Sequence, residues 1–336
     1  MDTSLRGRRP RFIVFLLGAA LLYCIGISIT LCAPENVRSY SASVALPFDL
    51  MVVIPAMFYF FVIRKQGTTP LLVLPVIWLG GFVVMQVVQP ENLQFVLILT
   101  AGALVVEVAI AVREISRLVK AFMRAVAASA DPAQWFAPAF FEITRSKVAS
   151  KLAGLELTTL YYALFSWRKK PLVSDGAIPF SYHKESGYLA FMAVMIALAP
   201  FEIVGLHLLI SAWNPVVALV ITVLSIYSML WLVGDCRASL LRPITISRER
   251  IVVNSGIRFS ADIPLDSLSG IGTAIPNLPK NEMVNLGVMR TTNCWLLFNQ
   301  GIETETIVGT TKTIKALGLS IDNVASFRKI LAEEAF

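Results

Sequence analysis

Residues 187–233 read GYLAFMAVMIALAPFEIVGLHLLISAWNPVVALVITVLSIYSMLWLV and decide the fold class of this chain. Two apolar runs, 187–209 and 216–233, are separated by a polar segment that contains Trp213, Asn214 and Pro215. A helix needs about 20 mostly apolar residues to cross the hydrocarbon core of a bilayer. The stretch therefore predicts a hairpin of two transmembrane helices.

Four further apolar runs precede this hairpin. They are residues 12–32, 44–63, 70–88 and 93–112. The whole chain is 56 % hydrophobic and only 15 % charged, whereas soluble domains carry roughly 25 % charged residues. The first run follows a basic cluster but is longer than the apolar part of a cleavable signal peptide, so we expect a retained anchor. The sequence predicts an α-helical membrane bundle with six transmembrane helices.

The distribution of basic residues predicts the orientation of these helices. With the N-terminus inside, Arg38 is the one basic residue in the predicted outer loops, whereas the segment between spans four and five holds eleven. Lysine and arginine concentrate on the cytoplasmic side of membrane proteins. We therefore expect both termini in the cytoplasm, and we interpret the net charge of +7 as an orientation signal. Nucleic acid is not an expected partner, because the basic residues are scattered and no aromatic-rich RNA-binding signature is present.

A basic amphipathic helix is predicted directly after the fourth span. Apolar residues recur there at helical spacing, opposite a stripe made of Arg113, Arg117, Lys120 and Arg124. The stripe fits binding to anionic lipid headgroups, but the same pattern also fits an extension of span four that packs on its neighbours. A second segment, residues 152–167, is too short and too polar to span and predicts an interfacial helix. Residues 171–186 are predicted to form a loop.

From residue 243 onward the pattern is that of a small, mainly β domain. About seven short strands are predicted, among them 257–263, 294–298 and 303–308, followed by one C-terminal amphipathic helix with Asp322 as its N-cap. Membrane lipids and a protein or peptide partner of this domain are the expected partners. The predicted regions are therefore 1–112 with four spans, 113–186 with the amphipathic segments, 187–234 with the hairpin, and 243–336 with the β domain.

The first part of the β domain resembles a known family. Residues 243–246 (PITI), 250–256 (RIVVNSG) and 263–265 (IPL) resemble the opening of bacterial pleckstrin-homology-like domains tethered to membrane helices. The resemblance covers roughly the last 95 residues and implies a bacterial inner-membrane protein whose domain serves binding or assembly. It transfers no site residue, because one fold supports many functions.

Ionisable residues inside predicted spans are candidate functional groups, because burying charge in lipid is costly. Asp49, Glu202 and His207 fall in the predicted outer half of the bilayer, while Glu107 and Asp235 fall in the inner half. The outer trio could hold a divalent metal or relay protons. Alternatively, Asp49 caps span two, and Glu202 and His207 form structural hydrogen bonds.

The spacing of these residues weakens the metal interpretation. Glu202 and His207 lie five residues apart, about 140 degrees around an ideal helix, so they do not share one face. Glu107 is close enough to Arg113 in sequence for an ion pair at the inner interface. No cofactor-binding or catalytic motif is recognisable. The leading prediction is a binding or assembly protein, and the alternative is a transporter or enzyme that uses Asp49, Glu202 and His207.

Overall fold

The computed structural model describes residues 8–32, 34–64, 69–87, 93–184, 187–287, 292–305 and 311–335. The chain forms two compact units. Unit 1 comprises residues 1–123 and 141–145, and unit 2 comprises residues 124–140 and 146–336. The four regions predicted from the sequence are thus grouped into two units, and the boundary falls inside one long helix.

Unit 1 is helical throughout its described residues. Its elements are α1 (Arg8–Cys32), α2 (Glu35–Tyr40), α3 (Ser43–Ile63), a 3-10 turn (Pro70–Val73), α4 (Leu74–Val87) and most of α5 (Leu93–Ala128). Helix α3 alternates between α-helical and π-helical turns. It contains Pro47 and Pro55, each at the start of a short α-helical stretch, where a proline cannot donate the regular backbone hydrogen bond.

Apolar packing holds the helices of unit 1 together. Leu50 and Ile54 of α3, Val84 of α4 and Val96 of α5 are buried in one cluster with Phe15 of α1. Such packing follows from the uniformly apolar sequence, because several faces of each helix can be buried.

Helices long and apolar enough to cross a membrane are found at four of the six predicted positions. They are Ser43–Ile63, Gln94–Ala128, Tyr188–Ser211 and Pro215–Leu241. At the other two positions lie the shorter apolar helices Phe12–Gly26 and Pro70–Gln86; Val88, the predicted end of span three, lies outside the described residues. The membrane class follows from these helices, while the count of six remains a prediction.

Unit 2 combines helices with two sheets. Its helices are the first part of α6 (Phe136–Thr144), α7 (Lys147–Phe165), α8 (Tyr188–Ser211), α9 (Pro215–Leu241) and α10 (Val324–Ala335). The α8–α9 turn is tight because the Asn214 side chain accepts hydrogen bonds from the backbone N–H groups of Val216 and Val217.

Helix α7, predicted to be interfacial, packs along α9. Gly234 of α9 permits this approach: a Cβ atom there would lie 2.5 Å from the Thr159 carbonyl oxygen. Arg237 of α9 also donates a hydrogen bond of 2.8 Å to the carbonyl of Ser166, at the C-terminus of α7, where a cation is favourable.

The sheets of unit 2 each have four strands. The first, in the order β1-β2-β3-β4, contains β1 (Ile178–Phe180), β2 (Ile244–Ile246), β3 (Arg250–Ser255) and β4 (Phe259–Pro264). The second, in the order β5-β7-β8-β6, contains β5 (Leu268–Gly272), β6 (Met283–Asn285), β7 (Cys294–Glu305) and β8 (Thr311–Leu319). Pairs within the first sheet are antiparallel, whereas β6 runs parallel to β8.

Both sheets and α10 share one core. Ile251 and Ile263 of the first sheet, Leu296 of the second, and Phe327 and Leu331 of α10 are fully buried together. Side chains alternate between the two faces of a strand, so one face of each sheet supplies this core. We call the two sheets and α10 the β unit.

Several sequence predictions about the β unit need correction. Residues 171–186 are not entirely a loop, because they contain β1, whose Phe180 packs edge-on against Phe327 of α10 at 5.1 Å between ring centroids. The predicted strands 294–298 and 303–308 form one strand, β7, with a register irregularity between Leu297 and Ile302; residues 306–308 lie outside the described residues.

The predicted start of α10 is also wrong. Asn323, not Asp322, caps this helix: its Oδ1 accepts a hydrogen bond of 3.2 Å from the backbone N–H of Ser326. The Asp322 carboxylate instead accepts a hydrogen bond from the backbone N–H of Lys184, and the backbone N–H of Asp322 donates one to the carbonyl of Ser181. The carboxylate is therefore used to fasten the chain that follows β1.

Candidate functional site

A cluster of buried and half-buried polar groups lies where helix α9 enters the β unit. We call it the polar junction. Its members are Asp131, Asp235, Arg242, Asn254 and Arg258. They come from the chain after α5, from α9 and from the β3–β4 hairpin, so the junction joins three parts of unit 2.

Arg242 is the centre of the junction. It follows the last residue of α9, and its side chain is only 2 % exposed. Its guanidinium donates hydrogen bonds to Oδ2 of Asp131 at 2.8–3.0 Å, to Oδ1 of Asn254 at 3.1 Å and to the carbonyl of Gly256 at 2.5 Å. A buried charge is tolerated only when it is paired and hydrogen-bonded in this way.

Asp131 connects the same arginine to the helices. Its Oδ1 accepts hydrogen bonds from the backbone N–H of Ala133 at 2.9 Å and from the Tyr162 hydroxyl at 3.2 Å. Burial, together with the Asp131 carboxylate, raises the pKa of Tyr162 well above its usual range. Tyr162 of α7 therefore remains a neutral donor toward this carboxylate.

Asp235, one turn and a half before the end of α9, holds the β3–β4 turn. Its carboxylate accepts hydrogen bonds from the Tyr188 hydroxyl and from the backbone N–H of Ile257, the latter at 3.2 Å. It also forms an ion pair with Arg258 at 3.3 Å. Arg258 lies over the Tyr188 ring, 5.7 Å from its centroid.

The turn itself depends on Gly256, which has a φ of +55°. A Cβ atom at this position would overlap Oδ1 of Asp235 and approach the Ser239 hydroxyl to 3.1 Å. Glycine is required here both by the left-handed backbone and by the close approach to α9. For this reason the predicted strand 257–263 begins only at Phe259, and Ile257 packs instead against Tyr162, Ala238 and Leu241.

A groove of about 380 Å³ opens beside the junction. One wall is β4, the outer strand of the first sheet, and the end of β7, with Asp262 and Glu303 among its residues. The other wall includes Gln134, Thr158 and Lys151 of the helical part. Lys151 forms an ion pair with Glu305 of β7 and so links the two walls.

The groove offers both backbone and charged groups to a ligand. Arg242 and Arg258 line it. The guanidinium of Arg242 is fully engaged by hydrogen bonds, whereas Arg258 forms the ion pair with Asp235 and its Nε and Nη2 have no hydrogen-bond partner among the described residues. The carboxylates of Asp262 and Glu303 lie on the strand side. Because β4 has a strand neighbour on one side in the described residues, its other edge can pair with an extended segment. The groove thus places an outer strand edge beside charged side chains.

The predicted trio of Asp49, Glu202 and His207 is distributed over both units. Asp49 lies in a π-helical turn of α3 in unit 1. Both other residues lie on α8: Glu202 is exposed, while Nδ1 of His207 is 2.8 Å from the Thr222 hydroxyl of α9. Within the described residues, no three His, Cys, Asp or Glu side chains are grouped to hold a metal ion.

The basic stripe belongs to a helix that continues from span four, since α5 runs unbroken to Ala128. Arg117 is engaged within unit 1: it pairs with buried Glu114 at 2.9 Å and donates a hydrogen bond of 2.9 Å to the carbonyl of Glu142. Arg113, Lys120 and Arg124 are exposed, and Glu107 is half-buried. Lipid binding by the stripe stays a prediction.

Sequence reasoning missed Asp131 and Arg242. A signal does exist, because each precedes a proline and stands at a helix boundary, before Pro132 and Pro243. A residue before proline is driven out of the α-helical region, so both residues occupy sharp bends where a side chain can turn inward. Their pairing across 111 positions of the chain could not be inferred from these local patterns.

Comparison of the chain with protein-family models, with curated proteins and with solved structures finds no match.

Proposed function

We propose that this chain is a multi-pass protein of the bacterial inner membrane that presents a cytoplasmic, pleckstrin-homology-like β unit for binding or assembly. The observation that carries the proposal is the polar junction with its adjoining groove. Arg242 and Asp235 fasten the β unit to the end of the α8–α9 hairpin. A partner bound to the β unit would therefore be held in a defined orientation toward the bilayer.

The pleckstrin-homology-like part of this proposal rests on the resemblance of residues 243–265 and on a succession of strands that ends in one helix. Strands β2 to β8 are followed directly by α10, whose Phe327 and Leu331 close the core between the sheets. Strand β1, from before the hairpin, adds an eighth strand to this arrangement. Both termini are proposed to be cytoplasmic because of the positive-inside distribution.

The proposed ligand is an extended peptide segment of a partner protein that pairs with the free edge of β4. Main-chain hydrogen bonds to an outer strand supply affinity, and side chains that line the adjacent groove supply specificity. The carboxylate of Glu303 favours a segment with a basic side chain on the groove side, whereas the carboxylate of Asp262 is already paired with Arg250 at 2.8 Å. The alternative is a transporter or enzyme that uses Asp49, Glu202 and His207; within the described residues, no group of three His, Cys, Asp or Glu side chains is placed to hold a metal ion.

Site-specific photocrosslinking in the intact membrane tests this proposal. A photoreactive residue replaces Asp262 in the groove or, as the matched control, Lys329, which is 77 % exposed on α10 and does not line the groove. We expect discrete protein adducts from position 262 only. Mass spectrometry of these adducts should identify a short extended segment of one partner.

A second variant, Glu303→Arg, makes the test specific for the groove. It reverses a charge in the wall without touching the junction and should reduce the adducts from position 262 several-fold. Equal adducts from positions 262 and 329, or adducts that Glu303→Arg leaves unchanged, would overturn the assignment of this groove.

A further inference from the structure

Unit 1 contains a second, very different groove. It measures about 690 Å³ and is bounded by α3, the start of α4 and α5. Its walls are apolar or aromatic over most of their length, with Met51, Tyr59, Ile77 and Ile98 among them. Its volume is typical of ligand pockets, which range over about 300–1,000 Å³.

One end of this groove is positively charged. Arg113 of α5 lines it directly, and Arg64 lies over the ring of Phe60, another lining residue, at 5.8 Å from the ring centroid. Arg64 and Arg113 are both exposed. Among the described residues of unit 1 that line the groove, none is acidic.

The length of the groove matches one leaflet of a bilayer. From Ile98 to Arg113 the α5 helix rises by about 22 Å at 1.5 Å per residue, and one leaflet including its headgroup region is about 20–22 Å thick. A groove of this length, apolar along the helix and cationic at one end, has the polarity of a phospholipid: acyl chain along the wall, phosphate at the arginines.

We propose that this groove binds one acyl chain of an anionic glycerophospholipid of the surrounding bilayer, with the phosphate held by Arg113 and Arg64. A lipid can reach the groove because its walls are exposed: the exposed fraction is 51 % for Phe60 and 68 % for Ile98. Charge complementarity selects an anionic headgroup over a zwitterionic one. This site differs from the predicted basic stripe in two ways. The groove and the stripe have only Arg113 in common, and the groove binds a single lipid molecule, whereas the stripe would contact the headgroups of many lipids.

Two glycines allow a matched test. Gly102 lines the groove on α5 and Gly205 lies on α8 in unit 2; at both, an added Cβ atom has no atom within 4 Å. Gly102→Phe would therefore add a ring to the groove wall at a position where the Cβ atom meets no other atom, and Gly205→Phe would place the same ring on a helix outside the groove. The full chain is extracted in mild detergent, and the co-purified lipid is measured by phosphorus content and mass spectrometry.

We expect the wild-type chain and Gly205→Phe to retain about one phospholipid each, enriched in anionic classes over the membrane average. Gly102→Phe should lose at least half of this lipid. Arg113→Gln should keep the amount but lose the anionic enrichment, and it tests the site independently if Gly102→Phe does not fold. Lipid of bulk composition in equal amount in all four proteins would overturn the proposal, as would loss of an oligomer rather than of lipid in Gly102→Phe.

Discussion

Helices α5 and α9 both continue beyond the length that a bilayer requires, yet their charged ends behave differently. Helix α5 has 36 residues and α9 has 27, while about 20 suffice to span. The end of α9 places Asp235 and Arg242 in a buried network with partners from three chain segments. Just beyond its predicted span, α5 leaves Arg113 exposed and engages Arg117 through a residue only three positions away.

The difference shows when a charged side chain near a helix end can be buried and contribute to the fold. A buried ion requires oppositely charged and hydrogen-bonding partners, and α9 receives them because the chain on either side folds back onto its end. On α5 the basic residues Arg113, Lys120 and Arg124 are exposed, and buried Glu114 pairs with Arg117 three positions away. Side chains of like charge remain exposed to solvent or lipid headgroups, whereas side chains of opposite charge can be buried together as a pair.

Removing the central charge of the junction should have the largest effect. Arg242→Gln removes the buried guanidinium and leaves Asp131, whose side chain is 17 % exposed, without its counter-charge; we expect it to lower the free energy of unfolding of the full chain in detergent by about 3–5 kcal/mol. Urea titration followed by tryptophan fluorescence measures this change. Arg250→Gln is the matched control, because the Arg250–Asp262 pair is half-exposed and should contribute below about 1 kcal/mol. Similar losses in both variants would refute the contrast between buried and exposed pairs.

Two glycine substitutions distinguish the cost of a steric clash with Asp235 from the cost of placing an alanine at positive φ. Gly176 and Gly256 both have positive φ values, +75° and +55°, but a Cβ atom meets open space at Gly176 and overlaps Asp235 at Gly256. We expect Gly176→Ala to cost about 1 kcal/mol and Gly256→Ala at least about 2 kcal/mol more. The same unfolding assay applies. Equal costs would mean that the turn does not press on the end of α9.

A third pair of variants tests the end of α5. Arg117→Gln removes the ion pair with buried Glu114 and the bond to the Glu142 carbonyl, and we expect a loss of about 1–3 kcal/mol. Arg113→Gln, on the same helix one turn earlier, should change the unfolding free energy by less than about 0.5 kcal/mol. If Arg113→Gln were the more destabilising change, this helix end would depend on a different charge from the one identified.

The smallest expected effect is a pH dependence from the chain after β1. Burial lowers the pKa of His183, only partly offset by Asp322, so the unfolded chain binds its proton at a higher pH than the folded chain does. The stability that neutral His183 contributes is therefore present above about pH 6.5 and declines as the pH falls below that value. His183→Gln should remove this decline from thermal unfolding midpoints between pH 5 and 7.5.

The control for this measurement is His207→Gln, which retains His183 and should keep the decline. A wild-type chain whose unfolding midpoint does not change over this pH range would contradict the burial of His183.

Elements with a strong local pattern could be predicted from the sequence. The hairpin of α8 and α9, the apolar run of α3 and the apolar face of α10, with Phe327 and Leu331, follow from periodicity within one segment. Strand β1 could not be predicted, because it has three residues, one of them Pro179, and it is stabilised by pairing with β2 across the whole hairpin. The division of β7 into two predicted strands failed for a related reason, since pairing with β8 carries the strand through its irregular middle.

The candidate site shows the same limit more sharply. Asp235 is detectable in sequence as a carboxylate after an apolar run, but Asp131 and Arg242 resemble ordinary charged residues beside prolines. Their significance arises only when they meet 2.8 Å apart, and no local pattern encodes that distance. By contrast, Glu202 and His207 are easy to notice in the sequence, because ionisable residues are rare inside apolar spans. Both lie on α8, where Glu202 is exposed and His207 contacts the Thr222 hydroxyl.

By itself, the sequence determined that this is a membrane protein with a separate β region, because apolar length and alternation are properties of single segments and reflect the solvent around each of them. The tertiary structure decided how the β region is fastened to the hairpin and where its groove lies. That decision rests on pairs such as Asp131–Arg242 and Asp235–Ile257, whose members are distant in the chain and become favourable only when folding removes them together from water.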